Sequence, residues 1–349
     1  MDIRKATSST SWAETGSTSS APFAGRASVS MDGTPAFLDA DTVRASLSLD
    51  RCMAAMREVM IALSGGVTAQ LPRGILPLDG KLLGVMAGAL SGGGFFGAKI
   101  LGVADDPAQP GRQWHHGLVI LFDGDSGKPV CIADAEEITL LRTAAVSAVA
   151  TDMLARRDAK SLGIFGHGTQ AQAHIRAITH IRRLDEILVW GRSFDKARSF
   201  AEEVASSLKL PVRAVAKPEE VAACDILCTL TPAVDPILKG AWVQEGAHVN
   251  VVGFAPAGRG EVDGDLVRKS RYFTDSRASV EREGNEFLDA LRTGAIGPDH
   301  RLDELGAVLA GTVEGRRLPT EISLYRSLGH VAQDLAALTA LHLSRQASS

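Results

Sequence analysis

The run Gly166-His167-Gly168-Thr169-Gln170-Ala171 constrains this chain more than any other stretch. It follows the apolar residues Leu162 to Phe165 and opens an alanine-rich helical segment, so a Gly-x-Gly-x-x-Ala pattern sits between a strand and a helix. In that setting each small residue has a physical reason. Gly166 makes a tight turn, Gly168 lets backbone approach a pyrophosphate, and Ala171 lets the helix close on the strand. The helix N-terminus then favours the phosphate charge. Strand and helix signals keep alternating through "EILVWGRS", "VRAVA", "DILCTLT", "HVNVVGF" and "RYFTDS". Such alternation calls for a parallel sheet with right-handed crossovers. The expectation is a dinucleotide-binding Rossmann unit, and the alternative is a glycine loop that only turns the chain.

The second strand of that unit ends in "VWGRSFDKA". An enzyme that prefers NAD offers an acidic side chain there to the ribose 2′-hydroxyl. Here the position holds Gly191, followed by Arg192 and Ser193. An arginine and a hydroxyl without a carboxylate suit a 2′-phosphate, so NADPH is expected as cofactor, with NADH the alternative. Asp195 is read as the cap of the next helix.

Upstream the pattern is different. "PAFLDADTVRASLSLDRCMAAMREVMIALSGG" reads as a short strand and one capped helix closed by Gly65 and Gly66. "KLLGVMAGAL", "GFFGAKILGV" and "GLVILFDGDSGKPVCIAD" read as strands, the "DGDSG" being a hairpin turn and not a calcium loop. "TLLRTAAVSAVATDMLARR" is a long helix of small residues. "EFLDALRTG", "DELGAVLAG" and "EISLYRSLGHVAQDLAALTALHL" read as helices that complete the chain. With 349 residues and 45% hydrophobic content, two domains are expected. The α/β fold is therefore read as a Rossmann domain over 146–316 and a β-rich domain from 34–145 with 317–349, preceded by a disordered tail, 1–33.

A formal net charge of −4 argues against nucleic acid and membrane partners and for a small-molecule substrate. No apolar run approaches the ~18 residues of a spanning helix, and the cytoplasm is the expected location. The four cysteines, Cys52, Cys131, Cys224 and Cys228, lack metal or disulfide spacing, and no metal site is expected. His115 and His116 have no partners at ligand spacing, and His167 is read as facing solvent or the cofactor edge. Arg57 and Arg112 are read as surface residues. Three cations stand out against apolar or small-residue surroundings: Arg73 in "QLPRGILPL", Lys99 in "GFFGAKILGV" and Arg142 in "LLRTAAVSA". Burying such charges is costly unless they are paired, and a bound carboxylate would pair them. Snorkelling to solvent is the alternative for each.

Several segments together resemble the ornithine cyclodeaminase and μ-crystallin family: "LPRG", "GAKILGV", "ITLLRTAAVSA", "GIFGHGTQA", "CTLTPAVDPIL", "GAHVNVVG", "ELGAVLAGTVEGR" and "SLYRSLGHVAQD". The resemblance runs from about Thr34 to Leu343. It implies a homodimer formed through the β-rich domain. It also implies that Arg73 and Lys99 bind the substrate carboxylate, that Arg142 stands between substrate and nicotinamide, and that these three residues carry catalysis. By the same matching, Thr169 and Gln170 meet the pyrophosphate and Thr229 and Thr231 lie near the cofactor. Val249, Val251 and Val252 line the ring, Ser327 approaches the carboxamide, and Leu328 joins the substrate contacts.

One departure bears on the reaction. Ornithine cyclodeaminases and alanine dehydrogenases of the family carry an aspartate after "VNVVG" that handles the substrate amino group, and this chain has Ala255 there. Without that base, proton removal from an ammonium loses its agent. In this the chain resembles the family's ketimine reductases, which reduce a C=N bond conjugated to a carboxylate. The resemblance thus implies NADPH-dependent reduction of Δ1-pyrroline-2-carboxylate or Δ1-piperideine-2-carboxylate to L-proline or L-pipecolate. Alternatives are ornithine cyclodeaminase activity, an open-chain imino or amino acid dehydrogenase, and a binding protein without turnover.

Overall fold

The computed structural model describes residues 34–90, 92, 94–105, 113–253 and 258–347. The expected tail at 1–33, Arg112 and Ala255 lie outside the described residues.

The chain starts with β1 (Ala36–Leu38), α1 (Ala40–Ser46) and α2 (Leu49–Ser64). The sequence suggests one helix here; two form, because the Ser48 hydroxyl accepts from the Arg51 N–H and caps a second one. Next come β2 (Ala69–Gln70), β3 (Gly74–Leu78), β4 (Lys81–Ala89), β5 (Phe95–Asp105), β6 (Gln113–Asp123) and β7 (Pro129–Asp134). They form one sheet in the order β1-β7-β6-β5-β4-β2, with β3 also on β4. The "DGDSG" segment is the hairpin turn between β6 and β7, closed by the Asp123 carboxylate accepting from the Ser126 N–H at 2.8 Å.

Helix α3 (Ala135–Leu154) is capped by Asp134, whose carboxylate accepts from the Glu137 N–H at 2.7 Å. It is buried on nearly every side. Its alanines and serine let neighbours approach closely, and it joins the two halves of the molecule.

The second half runs β8 (Ser161–Phe165), α4 (Thr169–Ile181), β9 (Glu186–Trp190), α5 (Phe194–Leu208), β10 (Val212–Ala214), α6 (Pro218–Ala222), β11 (Ile226–Thr229) and β12 (His248–Val251). It continues with α7 (Gly264–Lys269), β13 (Ser270–Thr274), α8 (Arg277–Glu283), α9 (Asn285–Arg292), β14 (Leu302–Glu304), α10 (Leu305–Leu309), β15 (Ile322–Arg326) and α11 (Val331–Gln346). All strands pair in parallel, in the order β10-β9-β8-β11-β12-β15-β13-β14. The expected Rossmann-type sheet is present.

The helical reading of "EISLYRS" is corrected. Ile322–Arg326 is a fully buried strand wedged between β12 and β13. A strand covered on both faces has no apolar-polar alternation, and its short run merged with the true helix that follows. The segment that the sequence grouped with the β-rich block from 317 onward thus first completes the parallel sheet. Only α11 returns to the first sheet, where it packs on β4, β5 and β6 beside α2 and α3. "DELGAVLAG" likewise divides into β14 and α10.

One apolar cluster runs from α2 through α3 and α11 to the near face of the parallel sheet, and a second fills the far face. The carboxyl ends of the parallel strands therefore face the junction of the two halves, where open α/β sheets bind ligands. No helix among the described residues is long and apolar enough to cross a membrane.

Candidate active site

At the glycine turn, Gly166 has φ +121°, a conformation open to glycine, and its N–H donates to the Trp190 carbonyl at 2.8 Å. Gly168 is the N-cap of α4, and a Cβ there would meet nothing within 4 Å. Backbone therefore borders open space at a helix N-terminus, where unpaired N–H groups favour an anion. Thr169 is exposed in the first turn, and Ala171 is fully buried under the helix. The buried carboxamide oxygen of Gln170 has no hydrogen-bond partner among the described residues. A dinucleotide's pyrophosphate fits this cradle.

At the end of β9, the His167 ring covers Gly191, and Arg192 is exposed beside it. The cap of α5 is Ser193, whose hydroxyl accepts from the Lys196 N–H at 3.4 Å. Asp195, expected as cap, is instead the second residue of the helix, in its first turn, and pairs with Arg198. A Ser193 that caps keeps its oxygen at the helix start, the same place a ribose phosphate would approach.

Past β11 and β12, Glu261 ties the strand ends together. One carboxylate oxygen accepts from the N–H and hydroxyl of Thr231, both at 2.7 Å, and the other accepts from the Gly253 N–H at 2.8 Å. Burial raises the proton affinity of Glu261, and Thr229, Thr231 and Arg326 counter that. Thr229 is fully buried next to it. Val249 and Val251 lie in the far-face core with no exposed surface, and Val252, just past the strand, is half-buried. The Ser327 N–H donates to the Val251 carbonyl at 3.0 Å, and Leu328 is half-buried just beyond.

Arg326, 2% exposed at the end of β15, donates to the Val251 and Gly253 carbonyls at 3.1 and 2.8 Å. Glu286 pairs with it at 3.0 Å and accepts from the Tyr272 hydroxyl. Sequence reading missed this network, although an arginine inside the apolar "ISLYRS" was a signal.

Two of the three cations meet where α11 and α3 pack on β5. Lys99 points from β5 toward α11 and is 4% exposed; Arg142 on α3 is 6% exposed. Both reach the same atom, Asp334 Oδ1 on α11, at 3.2 Å from Lys99 Nζ and 3.0 Å from Arg142 Nε. Lys99 also donates to the Thr139 hydroxyl, and Arg142 Nη1 donates to Gln333 Oε1 at 2.8 Å. Burial lowers the Lys99 ammonium to about 8; Asp334 holds it up, while Arg142 and Arg73 push it down. Burial works against the Asp334 carboxylate too, yet Arg142 and Lys99 together keep it below its ordinary range. Snorkelling is thus excluded for Lys99 and Arg142.

Arg73, in the β2–β3 connection, is more open and lies 3.9 Å from Glu283 at the end of α8. Gly329 has φ +78°, donates its N–H to Asp275 at 2.7 Å, and passes so near Arg142 that a Cβ would be 2.9 Å from Nη2. Arg142 thereby reaches from the first half to the strand ends of the second. Asp334 and Gln333 were missed in the sequence, where "HVAQDLAAL" reads as an ordinary helix start. Arg57, read as a surface residue, is half-buried against Asp152 at 2.6 Å.

Fold and site define a two-part protein of the Rossmann type, with a glycine turn at a helix N-terminus in one half and a buried cationic cluster between α3, α11 and β5. Residues 34–348 match the model of the ornithine cyclodeaminase/mu-crystallin family, and the chain belongs to that family. It is 31% identical to the ketimine reductase mu-crystallin of Mus musculus, over 88% of this chain and 96% of that one. It is 29% identical to the alanine dehydrogenase of Archaeoglobus fulgidus, over 86% and 91%. The solved Δ1-pyrroline-2-carboxylate reductase of Thermococcus litoralis, in complex with NADH and L-proline, superposes with a TM-score of 0.84 at 28% identity, covering 89% of this chain and 98% of that one.

Proposed function

We propose that this protein reduces the C=N bond of a cyclic 2-imino acid, Δ1-pyrroline-2-carboxylate or Δ1-piperideine-2-carboxylate, to the corresponding cyclic amino acid, with NADPH as reductant. The observation that carries this reading is the sharing of one carboxylate oxygen by two buried cations, Lys99 and Arg142. A substrate carboxylate supplies the further negative charge that such an arrangement accepts. Arg73, at the open side, completes the grip.

Charge-assisted bonds from these residues fix the plane of the conjugated acid and hold its C2 toward the strand ends of the parallel sheet. When bound, a reduced nicotinamide would supply a hydride to C2. As the C2–H bond forms, the C=N π pair moves to nitrogen, which must carry a proton. Lys99 is suited to hold that proton, because burial brings its ammonium near the working pH. Gly166, Gly168, Thr169 and Gln170 hold the pyrophosphate, and Arg192 with Ser193 meets the 2′-phosphate. Thr229, Thr231, Val252 and Ser327 border the nicotinamide end, and Leu328 borders the substrate. The names of the relatives support imine and amino acid redox chemistry, and Ala255 offers no base for the deaminating direction.

The protein acts as a homodimer in this reading. Ile75, Leu76 and Leu78 on β3 are exposed at 60, 56 and 52%, an apolar edge suited to a second copy. One neighbour is an archaeal alanine dehydrogenase dimer with bound NAD.

The test follows NADPH absorbance with cyclic imino acids, 2-oxo acids plus amines, and L-ornithine. Oxidation with the cyclic imines supports the reading. Ammonia release from L-ornithine without net cofactor turnover, or oxidation confined to 2-oxo acid and amine mixtures, would overturn it.

A further inference from the structure

Asp334 does more than neutralise charge. Its side chain has no exposed surface, Oδ1 takes both cations, and Oδ2, also buried, has no hydrogen-bond partner among the described residues. A buried carboxylate with one crowded and one idle oxygen is poorly used as a structural ion pair, where both oxygens would normally be satisfied. We propose that Asp334 is the positioning residue of the cationic cluster: it fixes Lys99 Nζ and Arg142 Nε relative to each other and sets whether Lys99 carries its proton. The proposal rests on the reading that these cations hold the substrate carboxylate.

Each element around Lys99 contributes. From α11 comes Asp334, which stabilises the ammonium, with His330 near Asp334 and Arg142. From α3 come Arg142, which repels it, and the Thr139 hydroxyl. Arg73 repels it from the β2–β3 connection, and His115 faces it from β6. Asp334 is thus the acidic group in direct contact with Lys99, opposed by two arginines and by burial. Replacing it by a neutral isostere leaves two adjacent cations with no carboxylate between them. Lys99 then sheds its proton at lower pH, and Arg142 loses the contact that orients its Nε edge.

The experiment uses the full chain carrying Asp334→Asn. Lys99 is titrated by NMR of 13C-lysine-labelled protein, its signal assigned by loss in Lys99→Met. The Lys99 titration is expected to fall by at least about one pH unit, roughly tenfold less ammonium at a given pH. The matching limb of the kcat/KM profile moves with it, Asp334→Glu restores the limb, and NADPH affinity stays unchanged. A Lys99 titration unmoved in Asp334→Asn, with kcat/KM lowered equally at every pH, would overturn the proposal. Should Asp334→Asn fail to fold, the double variant Lys99→Met/Asp334→Asn is expected to fold again, since the repulsion is gone. Failure of that double variant to recover would equally overturn it. The NMR titration needs no turnover, so rejection of cyclic imines as substrates would defeat the functional reading alone.

Discussion

The ring of His167 lies against Gly191, so close that a Cβ at residue 191 would sit 2.5 Å from His167 Cδ2. A side chain at residue 191 would have to displace that ring, and Arg192 is exposed beside it. Arg192→Ala is expected to raise KM for NADPH by about tenfold or more, the scale of one charge-assisted bond, and to leave KM for NADH alone. Gly191→Asp, made together with His167→Ala to open the space, should turn preference toward NADH. Equal KM changes for the two cofactors in steady-state kinetics would count against the assignment.

Arg73 and Arg142 should separate binding from stability. Arg73→Ala removes a half-buried cation whose ion pair with Glu283 is long, so stability is expected to change little while kcat/KM for the cyclic imine falls about 10- to 100-fold. Arg142→Ala takes one of two cations from the buried Asp334, leaving Lys99, and removes a donor from Gln333 Oε1. It is expected to cost activity together with about 1.5–3 kcal/mol of folding stability, the scale of a buried charge-assisted hydrogen bond. Urea denaturation beside kinetics tests the contrast; equal stability losses in both variants would refute it.

Gly329→Ala probes the bridge between the halves. The residue has a left-handed backbone, and the added methyl would press on the Arg142 guanidinium. Strain of about 1–2 kcal/mol is expected, with a raised KM for the imine and unchanged KM for NADPH. A variant with wild-type KM for the imine would show that Arg142 has room to move.

Three histidines should make the fold sensitive to mild acid. Burial lowers His174 to about 4, His248 to about 3 and His330 to about 4. Their folded pKa values lie below the unfolded 6.5, so the unfolded chain binds more protons across that window. Their contribution is intact above about pH 6.5 and is lost as pH falls toward 4, at on the order of 1 kcal/mol per pH unit for each. Denaturant titrations from pH 7 to 5 measure the slope. His174→Gln, which keeps polar atoms near Ser147 and the Gln170 carbonyl, is expected to flatten it; an unchanged slope would defeat the assignment.

The parallel sheet was legible because each of its early strands is punctuated by a turn and followed by an amphipathic helix. The glycine turn carried its own chemistry, so Gly166, Gly168 and Ala171 could be read directly. β15 was not legible, because a strand enclosed on both faces has no period and ran straight into α11. Lys99 and Arg142 stood out as charges among apolar residues. Their partner Asp334 did not, since an acid in a helix's first turn is ordinary until the tertiary structure closes over it. Val249 and Val251, matched to the family's cofactor segment, sit two apart in a pleated strand and so share the face that fills the second apolar cluster, a burial that the matching alone did not reveal.

The place of β15 has a consequence for what holds the molecule together. Among the described residues, 322–326 are the one link between the ribbon that ends in β12 and the pair β13–β14. The same stretch of chain runs on into α11, which carries Asp334 to Lys99 and Arg142. A change that displaces β15 therefore disturbs the parallel sheet and the charge cluster together.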